Sequence, residues 1–327
     1  MTRLLLLISV ALASYAVISS IGSLIAMLVW QTGMVSGAES SAAVRARRLV
    51  MLRAFPAVAA TLLVGGLIVP AFVIFEPVHA FEAVGPALIG LAALGFMLLT
   101  TGIANAAYSA FATWRIERRW LGSARLLDFK PPAGVPAYAV DSFTPVIALV
   151  GVFAPKLIAA RTVIDGCNHH ELANIVAHER GHLKARDNLK RWLMACAPDL
   201  LRWTPVHHVI TVAWDDAAED AADDAATAGL DVARVDLAAL LVKVARLSAG
   251  PGLTAATISP FIERDRLDRR VRRLLVSSHP APESSRSVGV QLLVGTSIAA
   301  TMLTILSSPA ALQAVHEAVE AVVAFGR

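Results

Sequence analysis

The sequence predicts a mainly α, polytopic membrane protein, with four transmembrane helices carrying one cytoplasmic α+β domain. Three observations predict it. Of 327 residues, 56% are hydrophobic and only 17% charged, and the mean hydropathy is +0.63. A soluble domain carries roughly 25% charged and 45–50% apolar residues, so a disordered chain and an ordinary soluble one are both excluded. The apolar residues gather in four stretches, about Leu4–Trp30, Ala54–Phe75, Val84–Trp114 and Val288–Leu306, none of which holds Lys, Arg, Asp or Glu. The segment 115–287 differs from them, with charges and prolines interleaved among short apolar runs.

Each apolar stretch is near or above the roughly 20 residues that cross a bilayer as a helix. Backbone polar groups in hydrocarbon must pair within the segment, which requires helix. The first stretch has signal-peptide features, Arg3 and Ala11-Leu12-Ala13. Its apolar run continues well beyond a signal h-region, so it reads as a retained helix. The expected organisation is three membrane helices in 1–114, a domain over 115–287, a fourth membrane helix in 288–309 and a short tail, 310–327. Arginines set the orientation. Arg45, Arg47, Arg48 and Arg53 follow the first stretch. Arg115, Arg118 and Arg119 follow the third, and Arg264, Arg266, Arg269, Arg270, Arg272 and Arg273 precede the fourth. These place the domain in the cytoplasm and both termini outside, with Arg3 the one dissenting charge. The last arginine run reads as an anchor at lipid headgroups. It lacks the interleaved aromatics of a nucleic-acid site.

In the tail, Gln313, His316, Glu317 and Glu320 share one face of an expected amphipathic helix over Ala311–Phe325. That helix is expected to lie at the outer surface or to pack on the bundle. His316-Glu317 resembles a metal-motif fragment without its second histidine.

Within 115–287, Pro145–Val152 and Lys156–Ile164 are rich in Val, Ile and Leu and bounded by Pro, Gly and Asp, so they read as strands. Asn168 and Glu171 form a capping box. A helix over Asn168–Cys196 is expected from there. Thr204-Pro205 starts another, running to Gly229. Further helices are expected over Ala233–Ser248 and Glu263–Ser277. No internal repeat or glycine-rich phosphate loop is present. Cys167 and Cys196 are too few for a disulfide scaffold or a four-cysteine zinc site, and are expected to be reduced.

The chemistry centres on His178-Glu179-Arg180-Gly181-His182, an HExxH motif. Histidines four apart share a helix face, so both imidazoles can bind one Zn²⁺, with Glu179 placed to take a proton from water. A catalytic zinc needs a third protein ligand. Glu219 supplies it in this reading, and Asp223, four residues on, orients a ligating histidine. Asp220 or Asp223 as the ligand is the alternative. So is a solvated acidic face formed by Glu219 with Asp215, Asp216, Asp220 and Asp224. His169-His170 and His207-His208 read as capping, packing or surface residues. The domain is then zincin-like, of the HExxH...E (gluzincin) type, and Zn²⁺ is the expected cofactor.

In order along the chain stand Gly151-Val152-Phe153-Ala154-Pro155, Glu171-Leu172, His178–His182, Arg186-Asp187-Asn188, Trp203-Thr204-Pro205 and Glu219–Asp224. With these the chain resembles the BlaR/MecR family of integral-membrane zinc metallopeptidases. More distantly it is similar to the HtpX and CAAX-prenyl-protease family. The resemblance implies zinc on His178, His182 and Glu219, with Glu179 as the catalytic base. It also implies that the strand before the motif helix, about Lys156–Ile164, lines the substrate cleft, where a peptide can add as an extra strand. His279-Pro280 with Arg286 is similar to a histidine–proline/arginine pair of the HtpX-like branch. Antibiotic-sensing members carry a penicillin-binding domain after the last helix. Only about eighteen residues stand there in this chain, too few for a domain.

The resulting expectation is a zinc endopeptidase that cuts a cytoplasmic regulator, such as a winged-helix repressor, in signal-triggered proteolysis. The alternatives are a membrane-protein quality-control protease and a non-catalytic signalling scaffold. Expected partners are the lipid bilayer and a protein or peptide substrate, with no direct nucleic acid. A homo-oligomer is left open.

Overall fold

The computed structural model of the chain describes residues 3–33, 35, 40–77, 85–122, 124–127, 134–141, 147–227, 231–248, 264–276 and 308–325. Three helical spans are long and apolar enough to cross a membrane, Arg3–Gln31, Ala42–Phe75 and Pro86–Leu121. They mark a membrane protein, and along all three large apolar side chains face outward, among them Leu24, Leu28, Leu62, Phe96 and Ile103. The fourth apolar stretch, Val288–Leu306, lies outside the described residues, as do His279 and Arg286.

α1 is Arg3–Gln31. The second span is α2 (Ala42–Leu63), a π-helical turn at Val64–Ile68 and α3 (Val69–Phe75). It begins well before the apolar stretch that marked it, because Ser41 caps Val44 N–H and arginine is a good helix former. Hydropathy registers the apolar core of a helix and not its charged turns. For the same reason α4, Pro86–Leu121, runs on through Arg115, Arg118 and Arg119.

The remaining elements form a small sheet with helices around it. β1 is Arg125–Leu126, β2 Ala137–Val140, β3 Ile147–Val150 and β4 Lys156–Ala160. The sheet order is β1-β2-β4-β3, with β2 and β4 parallel and the other pairs antiparallel. β4 therefore has a strand on each side, and from Arg161 the chain turns into α5 (Arg161–Gly166). This overturns the docking role expected for Lys156–Ile164, which has no free backbone edge. β3 is the outer strand on that side. Its turn to β4 needs Gly151, whose φ is +106° and whose Cβ would lie 2.8 Å from the Ala154 carbonyl oxygen.

α6 is His169–Ala185 and α7 Asp187–Cys196. A short 3₁₀ turn, Leu200–Trp203, leads to α8, Pro205–Thr227. α9 (Asp231–Ser248), α10 (Arg264–Val276) and α11 (Pro309–Phe325) follow. The expected continuous helix over Asn168–Cys196 is broken at Arg186, whose φ of 55° and ψ of 43° are left-handed.

The peptide segment around Pro198 sits deep among the membrane helices. The Tyr15 hydroxyl of α1 donates to the Pro198 carbonyl at 3.0 Å, and Leu200 packs with Tyr15, Ala60 and Leu98. Arg53 of α2 is fully buried and pairs with Asp199 at 2.7 Å. One core cluster joins Ala46, Leu49 and Leu52 of α2 to Met194, Leu201 and Trp214. A second cluster closes α5, α6, α9 and α10 over β4. Lys156 of β4 also pairs with Glu117 of α4.

Arg53 Nε donates to His207 Nδ1 at 2.8 Å, so His207 is held neutral. Burial, then the nearby Arg53, Arg202 and His208, lower its pKa from 6.5 to about 4. Between those values the unfolded chain takes up a proton that the folded chain refuses. This contribution to stability is fully present above pH 6.5 and is lost as pH falls towards 4. Melting temperatures over that range should fall less steeply in His207→Gln, whose amide oxygen still accepts from Arg53 but does not titrate.

Candidate metal centre

The capping box at the start of α6 is formed. Glu171 N–H donates to Asn168 Oδ1 at 2.9 Å, and Asn168 N–H to Glu171 Oε2 at 2.8 Å. Lys243 of α9 holds Glu171 from the other side at 2.6 Å. The helix so anchored points His178 and His182 at α8. Gly181 allows the approach, since a Cβ there would lie 3.0 Å from the Ala222 Cα, tighter than side chains normally pack.

Glu219 of α8 thereby reaches both histidines. His178 Nε2 and His182 Nε2 are 3.2 Å apart. Glu219 Oε2 is 3.5 Å from the first and Oε1 3.6 Å from the second. Metal–ligand bonds of about 2.0–2.1 Å in a tetrahedron separate ligands by about 3.3 Å, so the triangle fits one ion. The outer ring nitrogens are both occupied. His178 Nδ1 is 2.9 Å from Asp223 Oδ1, and His182 Nδ1 is 2.8 Å from Asp187 Oδ2. A carboxylate behind each ring fixes Nδ1 as the N–H and turns the Nε2 lone pairs inward, towards each other. With both Nε2 atoms deprotonated, two lone pairs 3.2 Å apart would share a cation between them.

Charge points the same way. Glu179, Glu219, Asp187 and Asp223 are all buried, and around them Arg270 is the buried cation, 2.9 Å from Glu219 and 2.6 Å from Asp223. This excess of carboxylate suits a divalent ion. Burial opposes charge on both histidines, but their carboxylate partners outweigh it; His178 is raised, and His182 is raised to about 10. Against burial, the histidines and Arg270 hold Glu219 well below the usual carboxylate range. Burial raises Glu179, with the histidines opposing. A carboxylate with a raised pKa is a better proton acceptor.

Of the expected residues, His178, His182, Glu219, Glu179 and Asp223 are brought together. Asp220 is directed away, to Arg45 at 2.9 Å and Arg269 at 2.8 Å. The acidic side of α8 is not a solvated face, and the arginine run is not a headgroup anchor. Arg266, Arg269, Arg270 and Arg273 lie on one face of α10 and pair with Asp216, Asp220, Asp223 and Asp224. Arg272 points outward, to Asp268. His169 and His170 are exposed, and Cys167 and Cys196 are free thiols.

Two residues were given no role at this centre by the sequence reading. Asp187 stands five after His182, out of reach on a continuous helix, and only the left-handed Arg186 brings it round. Arg270 looked like one of a run of surface charges. Beside the centre, a cleft of about 380 Å³ lies between the β3–β4 turn and the α6–α7 junction, with Leu149, Gly151, Phe153, His182 and Asn188 in its wall. Asn188 Nδ2 donates to the Leu149 and Gly151 carbonyls at 2.9 and 3.0 Å, which fixes β3 against the cleft.

Helices of membrane length, joined to buried His178, half-buried His182 and four buried carboxylates, mark a membrane protein with a group of side chains that could hold a metal ion. The segment that builds this centre, residues 140–274, matches the family described as BlaR1 peptidase M56, in agreement with the BlaR/MecR-type resemblance. No curated protein matches the chain, and no solved structure does.

Replacing the carboxylates behind the imidazoles should weaken the metal without removing it. Asp187→Asn and Asp223→Asn are each expected to lower zinc affinity about 10–100-fold, measured by competition with a chromogenic chelator.

Proposed function

We propose that the protein is a zinc endopeptidase, with His178, His182 and Glu219 as the metal ligands and Glu179 as the base. The observation that carries this is the triangle of two Nε2 atoms and one carboxylate, with Glu179 beside it. Zinc held there supplies Lewis acidity, polarising the scissile carbonyl and acidifying water. Glu179 takes a proton from the attacking water and passes it to the leaving amine nitrogen. Asp223 and Asp187 keep both imidazoles in the ligating tautomer. Arg270 positions Glu219 and Asp223. The substrate peptide lies in the cleft along β3.

The arginines near the ends of the membrane helices support a cytoplasmic peptidase domain over 115–287, termini outside and a fourth membrane helix within 288–309. The substrate on that topology is a cytoplasmic regulatory protein, such as a repressor, cut in response to a signal. The test is a comparison of protein N-termini in cells carrying the wild type or His182→Ala. A new N-terminus in a regulator, present only with the wild type, is the expected result. New termini confined to damaged membrane proteins would indicate quality control. Identical sets would leave a non-catalytic scaffold.

A further inference from the structure

A second group of ligand-type side chains lies at the other end of the helices. Glu76 directly follows α3, and His316 and Glu320 stand one turn apart on α11. One donor atom from each of the three lies within 4.8 Å of the others, and His316 Nε2 is 3.8 Å from Glu76 Oε2. Glu76 is only 5% exposed, and His316 and Glu320 are half-buried. The imidazole is also held against Phe75, ring centroids 6.0 Å apart. Arg3 lies at the same end, donating to the Val73 carbonyl at 2.7 Å. From Arg53, where the second span meets the peptidase segment, Glu76 is about 35 Å away along the helix, so the two groups cannot share an ion.

The donor set narrows the ligand. A histidine and a carboxylate at i and i+4 present one nitrogen and one oxygen from a single face, and Glu76 adds a second oxygen from another element. Three mixed donors suit four-coordinate Zn²⁺. Ca²⁺ requires six to eight oxygens, and Mg²⁺ an octahedral shell.

We propose that Glu76, His316 and Glu320 form a second zinc site, which pins α11 to the end of the second membrane span. On the topology proposed above the site faces the outside of the cell. The proposal does not depend on the peptidase reading. The test is zinc stoichiometry of the full chain in detergent micelles, equilibrated with buffered Zn²⁺ alone. About two ions per chain are expected in the wild type and about one in His178→Ala/His182→Ala. Adding His316→Ala or Glu320→Gln to that double variant should remove the remaining ion. Glu320→Gln keeps the side chain's shape, and circular dichroism checks that α11 remains helical. Should the double variant bind no zinc, or keep its ion after both tail substitutions, the second site is refuted. Should it keep two ions and lose one only with His316→Ala, the second site stands and the peptidase centre is the reading that fails.

Discussion

Glu179→Gln should retain its zinc and lose at least about 100-fold in peptide turnover, the lower end for removing a general base. Gln has the shape of Glu and still accepts a hydrogen bond. It cannot take the water's proton or return it to the amine. Glu179 is buried and its pKa is raised on that account, so the substitution also removes a charge whose burial is costly. Folding should not suffer, and a slightly higher melting temperature is expected. Hydrolysis of a quenched peptide pool, read beside zinc content, tests both halves. Turnover within about threefold of wild type would remove Glu179 from the chemistry.

His178→Ala and His182→Ala should lose the peptidase-centre zinc entirely, and turnover with it. Two donors of a three-ligand site cannot hold the ion against a chelator. Glu219→Gln is the informative third member. Its amide oxygen can still meet Arg270, which the native carboxylate approaches at 2.9 Å, and Arg270 keeps Asp223. Fold and ion-pair ladder should survive while the ion is lost, because a neutral amide is a poor zinc ligand. Elemental analysis and thermal melts of the same preparations separate these effects. Full zinc retention in Glu219→Gln would take it out of the ligand set.

What the sequence disclosed was local. HExxH declares two histidines on one helix face, and an apolar run of membrane length declares a span. Asn168 with Glu171, and Thr204 with Pro205, announce helix starts within one or two turns of chain. What stayed hidden depended on distant segments. β2 is the four residues Ala137–Val140, too short to show alternation. Without it nothing in the sequence contradicted the docking edge that the family resemblance implied for β4, which in fact has a strand on each side. The α10 arginines and α8 acids are each a charge run when read alone. Only the packing of α10 on α8, some fifty residues apart in sequence, turns them into a neutral ladder. Arg186 carries no glycine-like signal for a left-handed turn, so the break that delivers Asp187 had no mark in the sequence.

The cluster that joins Leu49 and Leu52 of α2 to Trp214 and Ala218 makes the membrane helices part of the interior that carries the candidate metal centre. Ala218 and Glu219 are adjacent on α8, so the wall that holds the proposed zinc ligand is built partly from a membrane-length helix. A soluble fragment cut after α4 would expose that wall to water and leave Asp199 buried without Arg53. Such a fragment should aggregate, whatever its catalytic residues. The membrane helices and the proposed peptidase centre are in this respect one folding unit, to be purified, assayed and engineered together.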